Sequence, residues 1–217
     1  FKKANEIDDY IDAHFDYAFD EKYGYKTTFP TNTGTGMKAG YTLHLPSLSD
    51  ARRLNDISAE LGRFGLKFRT VYGDGQNGYG NLYQISTQKT LGQDEHEVIK
   101  DLDDIVLQIV NQEKEQREHF YKKDKIQMDD EIYKSYGVLK YARKLSLKDS
   151  MVLISELMTG ISLGVLQFAH NGRYNINELI MDIQPAVLRQ NSGKAMSVAE
   201  TDVLRAEYIR KYLPEII

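Results

Sequence analysis

The spacing of apolar residues changes several times over the first half of the chain, and each change marks a different element. Ile7, Ile11, Phe15, Tyr17 and Ala18 recur at roughly helical spacing, which predicts an opening helix of about 20 residues ending near Gly24. Short runs rich in β-branched and aromatic residues follow at 24–29, 39–45, 66–72 and 80–86 and read as strands. Between the second and third lies "SLSDARRLNDISAELGRFG", with Ser49 as an N-cap and Leu54, Ile57 and Leu61 on one face, a helical pattern. Interspersed strands and helices predict an α+β fold with an antiparallel sheet wrapped by helices.

Beyond Ser86 the pattern turns helical throughout. Val98, Ile99, Leu102, Ile105, Val106, Ile109 and Val110 form one stripe in the run 94–121, with charges opposite, so a long amphipathic helix is expected. Four further helical patterns follow, carrying Ile132, Tyr136 and Leu139; Val152, Leu153 and Leu157; Ile176, Leu179, Ile180 and Ile183; and Val203, Leu204, Ile209 and Tyr212. A division near 122 is predicted, with residues 1–122 forming the α+β part and 123–217 an all-helical module.

Composition narrows the classes. Residues 1–122 hold 15 Lys and Arg against 20 Asp and Glu, and residues 123–217 hold 13 against 12. Neither part carries the excess of cations that nucleic-acid binding requires. One basic stretch, "KSYGVLKYARKLSLK" (134–148), reads as a solvated helix face or a docking patch. No apolar run approaches the ~20 residues of a membrane span. The charged opening lacks a signal-peptide apolar region. The chain has no cysteine, so disulfides and thiolate metal sites are excluded and a reducing compartment fits. The five histidines are scattered without metal-ligand spacing, so no metal site is expected. A chain that begins at Phe1 inside a helical pattern reads as a fragment.

Two glycine-rich stretches carry the candidate chemistry. "TTFPTNTGTGMKAG" (27–40) offers backbone N–H groups that can approach an anion closely, with Lys38 as a point charge. "GDGQNG" (73–78) matches the dinucleotide-binding spacing, but "YGNLYQIS" after it reads as a strand rather than a helix, so a tight turn between antiparallel strands competes with a ligand loop. Arg69 lies at the end of the third strand and Asp74 in the turn after it, and two cations with one carboxylate suit a polyphosphate held beside a cationic substrate.

Three segments then resemble one family in order and spacing: "GYKTTFPTNTGTGMKAGYTLHLPSL", "FRTVYGDGQNGYGNLYQISTQKTLGQDEHEVI" and "IYKSYGVLKYARKL". They are similar to the bacterial protein-arginine kinases, relatives of creatine and arginine kinases. The resemblance implies a guanidino-kinase C-terminal lobe followed by a helical dimerisation module, without the family's upstream lobe. It implies ATP with magnesium as the ligand, if nucleotide binding is retained, at Lys38, Ala39, Gly40, Arg69, Tyr72 and Gly73. It also implies a cytoplasmic setting, a homodimer, a Clp-type unfoldase or kinase-activator partner, and phosphoarginine-bearing proteins as ligands.

The same resemblance exposes departures. The family's Cys-Pro-Thr-Asn is matched by Phe29-Pro30-Thr31-Asn32, which puts an apolar ring where a thiolate faces the guanidinium. Lys38 stands for an arginine and loses the planar fork that grips phosphate oxygens. Asp74 replaces the glutamate that holds the substrate guanidinium, one methylene shorter. In the helical module, the family's Arg-Asp-x-x-Arg-Ala is matched from Thr201 to Ala206, which keeps Asp202 and Arg205 as implied phosphoarginine-binding residues and loses the first arginine. The expectation is a degenerate, catalytically impaired kinase-like protein that acts through its helical module; the alternative is an active kinase of which this chain is a fragment.

Overall fold

The computed structural model describes residues 1–74, 77–88, 90–92, 94–169 and 175–217, with the side chains of Asp74 and Asn77 outside the description. It is an α+β structure whose strands lie in its first 87 residues. The chain forms two compact units. One comprises residues 1–41, 55–68 and 84–109; the other comprises 42–54, 69–83 and 110–217. Each therefore takes non-consecutive segments, whereas the sequence division at 122 falls at a helix junction.

The first unit opens with α1 (Lys2–Asp12), which buries no residue. It is shorter than the apolar spacing predicts, because Phe19 and Tyr25 pair across a small antiparallel ribbon, β1 (Phe19–Asp20) with β2 (Gly24–Tyr25). The Asp20 carboxylate accepts from the N–H groups of Lys22 (3.0 Å) and Tyr23 (3.1 Å) and fixes the turn between them. Only Gly24 and Tyr25 of the run expected at 24–29 are extended strand.

The remaining strands sit close to their predicted places: β3 (Gly40–His44), β4 (Leu66–Thr70) and β7 (Leu82–Thr87), hydrogen-bonded in the order β3, β7, β4. Between β4 and β7, β5 (Gly73–Asp74) pairs antiparallel with β6 (Asn77–Gly78), so the second glycine-rich stretch is a hairpin. The helix expected between β3 and β4 is two: α2 (Pro46–Asp50) and α3 (Leu54–Arg63). Arg52, with φ +59°, breaks them, and Ser49 lies inside α2 rather than capping a helix.

Long helices follow the predicted stripes where the period is clean. In α4 (Glu95–Lys123), Val98, Leu102, Val106 and Ile109 are buried at spacings of three and four. Then come α5 (Lys125–Tyr141), α6 (Leu147–Ser162), α7 (Ile176–Asp182), α8 (Pro185–Ser192) and α9 (Val198–Tyr212). The eight-residue α8, opened by Pro185 and ended by Gly193 at φ +64°, is additional to the four helices expected after 122. In α6 the large apolar side chains buried are Met151, Ile154 and Leu157, whereas Val152 is exposed. Ile132, Tyr136, Leu139, Leu179, Ile180, Ile183, Ala206 and Ile209 join them in one core.

A chain of buried polar contacts holds the second unit. The Glu113 carboxylate accepts from the N–H groups of Ser47 (3.1 Å) and Leu48 (2.9 Å), two donors at the start of α2 that have no partner within their helix. Arg117 donates to Glu113 (2.7 Å), to Ser162 Oγ (2.6 Å) and to the His44 carbonyl (3.4 Å). The His44 Nε2 lies 2.8 Å from Ser155 Oγ, which also accepts from Asn81 (3.1 Å). Burial first, and the Arg117 charge second, push the His44 imidazole down to about 3.

Two expectations follow. Glu113→Ala leaves a buried guanidinium and two buried N–H groups unpaired, so it is expected to destabilise the native protein by about 3–5 kcal/mol, read from denaturant midpoints. The Glu113→Ala/Arg117→Ala pair is expected to lose less than the two single losses added. The second concerns pH. The unfolded chain protonates His44 below its ordinary value of 6.5, while the native ring stays neutral until about 3. The stability held by the neutral ring is complete above that ordinary value and declines as pH falls through this window, by at most about 1.4 kcal/mol per pH unit. His44→Gln is expected to flatten that decline in stability profiles recorded on both proteins.

Candidate functional site

The first glycine-rich stretch is a closed loop in the first unit. Tyr25 and Gly34 bridge its base, with N–H to carbonyl distances of 2.8 and 3.3 Å in the two directions. Within it, Pro30–Asn32 form a 3₁₀ turn in which the Asn32 N–H donates to the Phe29 carbonyl (2.9 Å) and the Thr27 hydroxyl donates to the same oxygen (2.6 Å). Buried Thr90 braces the loop from outside: its hydroxyl donates to the Thr33 carbonyl (2.7 Å), and its own carbonyl accepts from the Thr35 N–H (2.9 Å).

Glycine is required at Gly34. Its φ is +123°, and an added Cβ would overlap the Thr90 carbonyl. Past it, the N–H groups of Gly36 and Lys38 have no acceptor among the described residues, so they remain available to an anion. The Ala39 N–H donates to Thr87 Oγ1 (3.2 Å), and the Thr87 N–H donates back to the Ala39 carbonyl (3.0 Å). Gly40 passes close to the Ile85 carbonyl, 2.9 Å from where a Cβ would stand.

On this frame the side chains at issue point outward. The Phe29 ring is 67% exposed, and Lys38 is also exposed. Phe29, Lys38, Ala39 and Gly40 are thus brought onto one loop of the first unit.

The second unit carries the others. Arg69 lies exposed on β4. Tyr72 is half-buried, its hydroxyl 3.9 Å from Met181 Sδ, and burial followed by the neighbouring Tyr79 raises its pKa. Gly73, at φ +106°, opens the β5–β6 hairpin, which the Tyr79 N–H closes on the Tyr72 carbonyl (3.2 Å). The backbone of Asp74 pairs with Asn77 there, while its carboxylate lies outside the described residues.

Asp202 and Arg205 sit inward rather than facing solvent. Arg205 is 1% exposed; its guanidinium donates to the carbonyls of Ile183 (3.0 Å) and Leu145 (2.9 Å) and to Asp202 Oδ1 (2.6 Å). Thr201, at the position of the missing arginine, is buried and donates to the Ser197 carbonyl (2.8 Å). The sequence reading missed the Glu113, Arg117, His44 and Ser155 contacts and the Thr90 brace. An i,i+4 Glu–Arg pair and a lone threonine are ordinary surface patterns, and their partners lie far away in sequence.

Comparison with known proteins resolves what this frame is. Residues 1–116 match the family model of the ATP:guanido phosphotransferase C-terminal catalytic domain. The chain belongs to that family. Residues 125–216 match the model of the protein-arginine kinase McsB C-terminal domain. Protein-arginine kinases of Bacillus licheniformis and Bacillus subtilis are each 40% identical over 212 residues, covering 98% of this chain and 58% of theirs. That of a Geobacillus species is 41% identical over the same length. The chain thus spans 58% of the length of these relatives. A structure of the duplicated taurocyamine kinase from Schistosoma mansoni is similar at 31% identity and a TM-score of 0.45, covering 52% of this chain and 16% of that one.

Within this family frame, no group of three or more His, Asp or Glu side chains among the described residues is placed to hold a metal ion, and no helix among them is long and apolar enough to cross a membrane. The burial of Arg205 generates a direct expectation. Arg205→Met leaves two buried carbonyls and the Asp202 carboxylate without a donor and is expected to cost about 3 kcal/mol or more. Thermal unfolding of the native protein measures it. A variant of unchanged stability that loses only phosphoarginine binding would overturn the anchoring role.

Proposed function

We propose that this chain belongs to a degenerate protein-arginine-kinase-like protein, one that keeps the family's nucleotide loop as architecture and is impaired in phosphoryl transfer to arginine. The observation that carries this is Phe29. The 3₁₀ turn and its bracing hydrogen bonds are built, yet the position that holds a thiolate in the family presents an exposed phenyl ring, and no cysteine elsewhere in the chain can substitute. Phenyl carries no charge and accepts no hydrogen bond from a guanidinium.

The loop still suits an anion. If ATP binds, the N–H groups of Gly36 and Lys38, which have no acceptor among the described residues, and the Lys38 ammonium are the groups of this loop that would hold its phosphates, and the nucleotide with magnesium supplies the transferable phosphoryl group. Lys38 holds charge there without the two-pronged geometry of an arginine, and Asp74 reaches less far than a glutamate. Phosphoryl transfer rests on positioning and charge stabilisation, where one lost preorganised group typically costs about 10²–10³ in rate. In this reading the helical module, which matches the McsB C-terminal domain over residues 125–216, serves homodimerisation and partner binding within Clp-linked protein quality control. The Asp202–Arg205 pair, engaged inside the bundle, contributes to that module's shape in this reading rather than to ligand capture.

The second reading is an active kinase completed by residues outside this chain. It is favoured by the 58% coverage of the relatives and by the intact loop backbone. The full-length native protein, ATP and an arginine-containing protein decide between them, with phosphoarginine followed by ³¹P NMR beside the Bacillus subtilis relative. The expected rate is at least about 10²-fold below that relative. Phe29→Cys combined with Asp74→Glu is expected to recover about tenfold or more, given the non-additivity of groups that act together. Native transfer at the relative's rate would establish the second reading.

A further inference from the structure

The connection from α5 to α6, residues 142–146, is fixed through its backbone. The Ala142 carbonyl accepts from the Arg210 guanidinium. The Leu145 N–H donates to the Asp202 carbonyl (3.1 Å), the Leu145 carbonyl accepts from Arg205 (2.9 Å), and the Leu145 side chain is buried. Between these points Arg143 and Lys144 are exposed. A loop tethered at both ends holds its side chains out at little further entropic cost.

The charge here is one-sided. From Ile132 to Lys148 there are five Lys and Arg and no Asp or Glu. Lys134 pairs with Asp130, and Lys140 with Glu215. Arg143, Lys144 and Lys148 have no ion-pair partner among the described residues. Arg210 is brought to the same place by its contact with Ala142, and Lys211 follows it. Asp202 is paired with Arg205, and Asp149, which accepts from Ser146 Oγ (2.7 Å), adjoins Lys148 in sequence. Lys148 lies in the first turn of α6, where a cation opposes the helix dipole. Like charges gathered on a fixed loop raise the energy of the free protein, and an arriving anion relieves it.

We propose that this loop docks an acidic polypeptide segment, a short run of Asp and Glu carboxylates on a partner protein. Arg143 to Lys148 spans at most about 18 Å even if extended, the reach of a few carboxylates on an extended strand. The chain as a whole carries a net charge of −4, which disfavours a long polyanion such as nucleic acid but not a short segment confined to the loop. Exposed Tyr141, beside the cations, adds an apolar contact that a peptide side chain can use. Docking at this loop is independent of phosphoryl transfer.

Fluorescein-labelled octaglutamate, titrated with the full-length protein and read by anisotropy, tests it. Binding is expected to weaken steeply as salt rises from about 50 to about 300 mM, as contacts between exposed charges do. Arg143→Glu with Lys144→Glu is expected to lower affinity at least about tenfold, the size of effect that charge reversal at a steering patch produces. Arg143→Lys is expected to retain binding, and so is Lys2→Glu with Lys3→Glu outside the loop. Because Arg143 and Lys144 are exposed, circular dichroism is expected to show an unchanged fold. Equal binding by the reversed variant, salt-insensitive binding, or tighter binding of a thymidine octanucleotide would each overturn the proposal.

Discussion

A buried carboxylate sets the terms for the second unit. The start of α2 leaves two N–H groups without partners, and burial makes leaving them so costly. Glu113 accepts from both. That places an anion out of water, which is tolerable only with a cation in hydrogen-bonding contact, and Arg117 provides it one helical turn on. The remaining guanidinium donors in turn need acceptors, found in Ser162 and the His44 carbonyl. Burial first, and the guanidinium close by second, keep the His44 ring neutral, and that ring meets Ser155, which Asn81 also reaches. Each contact thus creates the requirement that the next one meets, and the series joins β3, α2, α4 and α6.

How far such features could be read from the sequence depends on whether their cause is local. The α4 stripe is local, and Val98, Leu102 and Val106 are buried as the period requires. The stretch "MVLISELM" in α6 is apolar on too many sides for a period to choose a face, so only packing decides that Met151 and Ile154 turn inward while Val152 does not. The α2–α3 break rests on one arginine at positive φ, a conformation that no sequence pattern announces. The end of α1 is decided by Phe19 and Tyr25 finding each other rather than continuing a helix.

The site divides along the same line. Glycines at 34 and 36 signal a loop that needs positive φ, and the structure uses them so. Thr90, which braces that loop, and Thr87, which holds Ala39, stand near fifty residues downstream and look like ordinary polar positions. Asp202 and Arg205, three apart in α9, have the spacing of a surface ion pair. Only the position of Ile183 and Leu145 around the guanidinium reveals that the pair is interior.

Two of the departures from the family motifs, Phe29 and Lys38, fall on exposed side chains of the loop, whereas Thr201 is buried in the helical module. The loop's shape is set by backbone contacts at Tyr25, Gly34, Thr35 and Ala39 and by the Thr90 and Thr87 braces. None of those contacts uses the side chain of Phe29 or Lys38, and both side chains lie in solvent. Substitution at either position therefore costs the loop little stability, since exposed side chains without partners seldom contribute more than a few tenths of a kcal/mol. Arg205 is the opposite case, because its removal leaves buried acceptors bare. The loop's shape and the buried arginine are therefore tied to folding, while the Phe29 and Lys38 side chains are not. The loop backbone thus reports shape, and the exposed side chains on it carry the chemistry.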